Sequence, residues 1–177
     1  MKKSIKNVVV LFAICAVVAI MLSITNAITA PIIEKSEREA VNQSLLLVMP
    51  NGQNFEKLEF DPESLPETIT EVYKEENGGY VFKLKTTGYS SNFIIMCGVN
   101  ADGFVSGALC LSSTETLGHE KTFGEVLIGK STSDIELVDT ISSATKTTNA
   151  YRNAVKDALA AAQILSANET EKAGESA

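Results

Sequence analysis

The sequence predicts an α+β fold: a single N-terminal transmembrane helix, then one outer domain with a small antiparallel sheet and flanking helices. Three observations predict it. Asn7 to Ile33 carries no charged residue. Between residues 69 and 111, short alternating or apolar runs are separated by Asn-Gly-Gly and Asp-Gly turn signals. Asn149 to Ile164 repeats Ala150, Ala154, Val155, Ala158, Leu159 and Ala162 at three- and four-residue spacing.

The uncharged run comes first. As a helix rising ~1.5 Å per residue it reaches ~40 Å, enough to cross a hydrocarbon core of ~30 Å. It has no polar stripe, as a helix packed on a soluble core would have. Lys2, Lys3 and Lys6 would also suit the basic start of a signal peptide. The apolar stretch is longer than such peptides use, and the small residue Ala30 is followed by Pro31, so an uncleaved anchor is expected. Three Lys precede the span; Glu34, Glu37 and Glu39 follow it. The positive-inside rule then places the N-terminus in the cytoplasm and the rest outside. The expected organisation is 1–33 cytoplasmic start and span, 34–166 outer domain, 167–177 disordered tail.

Charge sharpens the division. Of 15 basic residues three precede the span, and none of the 22 acidic residues does, so the outer part carries −10. An acidic surface of this kind excludes a large nucleic-acid interface. Cys15 lies in the span, and Cys97 and Cys110 lie in strand-like runs. A hairpin turning at Asp102-Gly103 puts the latter two on one face, diagonal to each other, which suits buried thiols better than a disulfide. No Cys/His cluster has metal-ligand spacing.

Along the outer domain, Pro31 to about Met49 reads as a polar-faced helix ended by Pro50-Asn51-Gly52. Residues 55–70 read as irregular with short strands. Ile69–Tyr73, Tyr80–Thr86, Phe93–Val99 and Phe104–Leu111 read as strands of a sheet with one face buried. Residues 112–129 read as a loop, Ile135–Val138 as a short strand, and Asn149–Ile164 as a helix capped by Thr147 or Thr148.

Ordinary hydrolase chemistry has little support. There is no G-x-S-x-G, P-loop or G-x-G-x-x-G, and His119 is the one histidine. A lone His in a polar loop is more often a bystander than a base. The unusual stretch is Asp139-Thr140-Ile141-Ser142-Ser143-Ala144-Thr145-Lys146-Thr147-Thr148. By composition alone it is a Ser/Thr-rich helix start. Small residues at 143 and 144 also permit close approach to the backbone, and the N–H groups of a helix start favour a phosphate. A Thr hydroxyl there could carry a phosphate group covalently.

Residues 139–145 resemble the covalent flavinylation motif D-x-x-[S/T]-[G/S]-A-T. That motif occurs in the FMN-binding subunits RnfG of the Rnf complex and NqrC of the sodium-pumping NADH:quinone oxidoreductase. Asp139, Ser142, Ser143, Ala144 and Thr145 match it. The resemblance implies one FMN held by a phosphoester on Thr145. It extends further: Thr29–Glu34 (T-A-P-I-I-E) is similar to the family's helix exit, and Gly88-Tyr89 with Phe93–Gly98 and Asn100–Gly103 to its central hairpin. Ser112–Gly118 resembles an E-T-P-G-L-G loop that lies against the flavin ring, which carries Glu115, Thr116, Leu117 and Gly118 over as ring-side residues. Leu117 stands where that loop has Pro, and His119-Glu120 where it closes on Leu-Gly. Ser143 stands at the commoner Gly.

The resemblance implies an electron-transfer subunit of a membrane Rnf-type, ion-translocating ferredoxin:NAD oxidoreductase. It implies partners among the other membrane subunits and a flavin transferase during maturation. The alternatives are an NqrC-like subunit, a stand-alone extracytoplasmic flavoprotein, and an anchored interaction domain without a redox role. An intact Asp139–Thr145 motif argues against the last.

Overall fold

The computed structural model describes residues 2–175; the side chains of 2–9, 32–34, 36–38 and 171–175 are not described. The chain parts into two compact units, residues 1–42 and 43–177.

The first unit is helical. Helix α1 runs Lys2–Val48 and contains Pro31. Its stretch Val10–Pro31 has mean hydropathy 2.4 over 22 residues and is 0% buried, the form of a single membrane span. Two hydroxyls within it are satisfied internally: Thr25 donates to Met21 O at 2.9 Å and Thr29 to Thr25 O at 2.8 Å. Such internal bonds would satisfy these hydroxyls in hydrocarbon, which offers no other partner.

The second unit begins with the last turn of α1. Five strands follow: β1 Glu56–Leu58, β2 Ile69–Lys74, β3 Tyr80–Thr86, β4 Phe93–Val99 and β5 Val105–Ser112. They form an antiparallel meander in chain order. Helix α2 is Glu120–Leu127, a 3₁₀ turn covers Ile135–Leu137, and helix α3 is Thr145–Glu175. Val72, Phe82, Leu84, Phe93, Ile95 and Val99 form one core with Phe123 and Leu127 of α2 and Tyr151, Val155 and Leu159 of α3. Tyr151 sits edge-on to both Phe93 (5.5 Å) and Phe123 (5.7 Å), knitting sheet and helices together.

The centre of the sheet is buried on both faces, not on one. Met96 and Val81 are fully buried on the side away from that core. Gly98 and Gly107, paired in register, explain how. A Cβ at either would lie 2.6–2.7 Å from Val48 backbone atoms. Two missing side chains thus let the end of α1 seat on the sheet, where Ser106 Oγ donates to Val48 O at 2.8 Å.

The hairpin and thiols match expectation. Cys97 opposes Ala108 and Cys110 opposes Ile95, so the sulfurs are diagonal and free. Burial pushes the Cys97 thiol up to about 12.

Four local readings change. Residues 120–127 form a helix, because Phe123 and Leu127 are one turn apart and both buried. Where a strand over Ile135–Val138 is expected, Ile135–Leu137 forms a 3₁₀ turn. Asp134 Oδ2 accepts from Ser131 N (3.2 Å) and Ser131 Oγ (2.6 Å), and this winds the chain. Buried Ile135 and Val138 then stand three apart on one side. Helix α3 starts at Thr145, ahead of the expected caps Thr147 and Thr148. It also continues through the expected tail to Glu175, held to β2 by a Lys74–Glu169 ion pair at 2.6 Å; residues 176 and 177 lie outside the described residues.

Candidate functional site

A cleft of about 120 Å³ opens beside the first turn of α3. One wall is Ser143, Ala144, Lys146 and Thr147; the other is Tyr89, Glu115, Thr116, Leu117, His119 and Glu120.

The α3 wall is shaped by a tight turn. Ala144 N donates to Ile141 O at 3.0 Å, and Ser143 takes φ +60° to make the reversal. That left-handed conformation costs an L-residue ~1–2 kcal/mol and glycine almost nothing. Buried Thr148 ties the turn down: its hydroxyl donates to Ala144 O at 3.0 Å and accepts from Ile141 N at 3.3 Å. The first backbone bond into α3 is Thr148 N to Ala144 O, at 2.9 Å. The N–H groups of the preceding turn therefore lie free of the helix ladder. Thr145 is exposed at this position, and its hydroxyl makes one long bond, to Ile141 O at 3.4 Å.

The opposite wall hangs from Glu115. Its Oε2 accepts from Thr147 Oγ1 at 2.6 Å and its Oε1 from Ser90 N at 2.9 Å. Gly88 makes room: a Cβ there would lie 2.6 Å from Glu115 Oε1 and 3.3 Å from Thr147 Cα. A carboxylate beside the start of α3 is also on the favourable end of the helix dipole. Glu120, first residue of α2, is 2% exposed. Ser113 Oγ donates to its Oε1 at 2.8 Å, and its Oε2 has no partner. Behind it, burial raises the Cys110 thiol and, more strongly, the Tyr151 phenol, so both stay protonated near neutral pH.

The structure brings together Glu115, Thr116, Leu117, Ser143 and Ala144 of the residues singled out in the sequence. Thr145 lies between two wall residues but is not itself on the wall, and Gly118 (φ +71°) forms the bend behind Leu117. Asp139 and Ser142 are exposed and do not line the cleft. Wall roles for Tyr89, Lys146 and Thr147 were not legible, and His119 was read as a bystander. The Glu115–Thr147 bond spans 32 positions without a pattern to mark it. For Glu120 the signal was present, as a carboxylate where the resembling loop has glycine.

Residues 1–48 match the RnfG N-terminal region, and residues 88–160 match the FMN-binding domain. Every residue lining the cleft falls within the second match. The G component of the Na⁺-translocating ferredoxin:NAD⁺ oxidoreductase complex of Acetobacterium woodii is 33% identical over 123 residues. The matched stretch covers 62% of this chain and 59% of that relative, so the chain spans about three fifths of the length of the relative it matches.

Proposed function

We propose that this chain, which matches the RnfG N-terminal region and the FMN-binding domain, is an RnfG-type electron-transfer subunit of a membrane Rnf-type complex. It carries one FMN through a phosphoester on Thr145, on the outer face of the membrane. The complex is of the ferredoxin:NAD oxidoreductase kind and moves an ion. Its other membrane subunits are the partners, and a flavin transferase loads the cofactor.

The observation that carries this reading is the position of Thr145. An exposed hydroxyl with one weak bond stands at a helix start, immediately beside a cleft. The residues there fit FMN. Free first-turn N–H groups and the exposed Lys146 suit a phosphate ester. The cleft, at about 120 Å³, is below the ~300–1,000 Å³ of sites that enclose a ligand. It suits an edge of the ring and leaves the remainder open to a redox partner. Exposed Tyr89 (71%) and Leu117 (58%) at the lip offer flat apolar surface to the ring.

Bound FMN supplies one- and two-electron redox chemistry; the chain supplies attachment, orientation and electrostatics. Thr145 anchors, Lys146 and the α3 start neutralise the phosphate, and the Glu115 hinge holds the second wall in place. Lysines before the span and acids after it support the outward placement.

Intact mass of the chain made beside a flavin transferase tests this. Wild type gains one FMN less one water, and Thr145→Ala gains nothing. An unmodified wild type, with the transferase active on another target, overturns it.

A further inference from the structure

Glu120 is out of place as a helix-start acid. At the first position of a helix, a carboxylate gains from the dipole while remaining hydrated. Here it is buried to 2% exposure, with one oxygen held by Ser113 and the other left without a donor. Leaving a buried acceptor unmade costs ~1–3 kcal/mol, and more for a charged one. Exposure would remove that cost, and the residue lines the cleft. Lys146, on the opposite wall, forms no ion pair with it among the described residues. The one other buried side-chain orphan among the described residues, Tyr151 Oη, does not line the cleft. Glu120 therefore lacks a hydrogen-bond donor on an oxygen closed off from water, and a ligand in the adjoining cleft could supply that donor if the carboxyl turned toward it.

We propose that when flavin is seated in this cleft the Glu120 carboxyl turns its Oε2 out of its closed position to accept a hydrogen bond from the ring N–H, and that its charge lowers the flavin's reduction potential. The proposal rests on the FMN reading above and assigns a residue of this chain to the ring. The oxidised isoalloxazine ring carries one N–H, on the imide of its pyrimidine portion, and a carboxylate acceptor is its complement. A negative charge held in a site shielded from water opposes electron gain, since Coulomb energies rise as the local dielectric falls. Ser113 fixes the other carboxylate oxygen and is the positioning residue. Glu120 is thus a specificity-determining contact that also poises the cofactor.

The test uses the full chain co-produced with a flavin transferase as wild type, Glu120→Gln, Glu120→Ala and Ser113→Ala. Intact mass reads loading. Redox titration of the flavin absorbance reads the potential, and the absorption band and fluorescence read contact with the ring. All four chains are expected to gain FMN. Both Glu120 variants shift the potential upward and change the band; Ser113→Ala keeps the charge, so its potential stays near wild type, but it frees the carboxylate and changes the band and fluorescence. Glu120→Gln preserves shape, so it carries the test if the alanine variant fails to fold. Loaded Glu120→Gln with wild-type potential and spectrum overturns the Glu120 assignment and leaves the Thr145 reading standing. An unloaded wild type overturns the Thr145 reading and the Glu120 assignment with it, and mass alone distinguishes the two failures.

Discussion

Thr147 Oγ1 donates to Glu115 Oε2 across 2.6 Å, joining the first turn of α3 to a loop 32 residues earlier in the chain. Thr147 is 5% exposed, so water cannot replace the bond at low cost. Thr147→Val keeps the shape and leaves the Glu115 oxygen without that donor. A loss of ~1.5–3 kcal/mol is expected, the range for bonds to charged groups. A double-mutant cycle with Glu115→Gln, read by chemical denaturation in detergent, should show coupling of about 1 kcal/mol. Additive effects would mean that the two walls of the cleft are held independently.

The sequence carried the sheet and the span because each has a strong local period. Apolar alternation in Tyr80–Thr86 and the Asp102-Gly103 turn specify pairing almost unaided. Helix α2 escaped because eight residues with two apolar anchors give too few repeats to stand above a loop. The cover on the second face of the sheet was hidden for a different reason. It depends on Gly98 and Gly107 meeting Val48, three residues that only the folded chain brings together. The turn at 139–145 was legible as a motif, while its conformation was not: nothing local states that Ser143 is left-handed.

That conformation yields a second expectation. With φ at +60°, Ser143 tolerates Gly and resists β-branched side chains. Ser143→Gly should leave stability equal or raise it by up to ~1 kcal/mol, with strain relief offset by glycine's entropy. Ser143→Val should cost ~1–2 kcal/mol and lower the yield of FMN-bearing chain, because the turn presents Thr145. A stable, fully loaded valine variant would contradict this account of the turn.

Acid should weaken the sheet edge through Glu71. Partial burial acts to raise its pKa, but donors outweigh it: Lys83 Nζ at 2.7 Å, Tyr73 Oη at 2.5 Å and Lys57 Nζ at 3.1 Å. Together they lower it from 4.5 to about 2. A depressed folded pKa means that the stabilisation is complete above about 4.5 and lost as pH falls toward about 2. Glu71→Gln should therefore be less stable than wild type at pH 7, with the gap closing as pH falls through that window. Thermal midpoints of both chains at about pH 7, 4 and 2.5 measure this; a gap independent of pH would remove Glu71 as the cause.

Gly124 sits where α2 crosses β5, and its missing side chain sets how closely the helix bearing Glu120 approaches the sheet. A Cβ there would collide with the Ala108 carbonyl and lie 2.6 Å from Tyr151 Oη. The carbonyl belongs to the sheet and Tyr151 is locked between Phe93 and Phe123, so neither neighbour can yield easily. Gly124→Ala must push α2 outward. Gains in helix propensity of ~1 kcal/mol oppose an overpacking cost of ~1–3 kcal/mol. The net change should be destabilising, where the same substitution on an exposed helix would stabilise. Displacement of α2 should also shift the Ser113–Glu120 pair, so a loaded Gly124→Ala chain is expected to show altered flavin fluorescence. A stabilised variant with an unchanged flavin signal would mean that the contact between α2 and β5 is looser than its geometry implies.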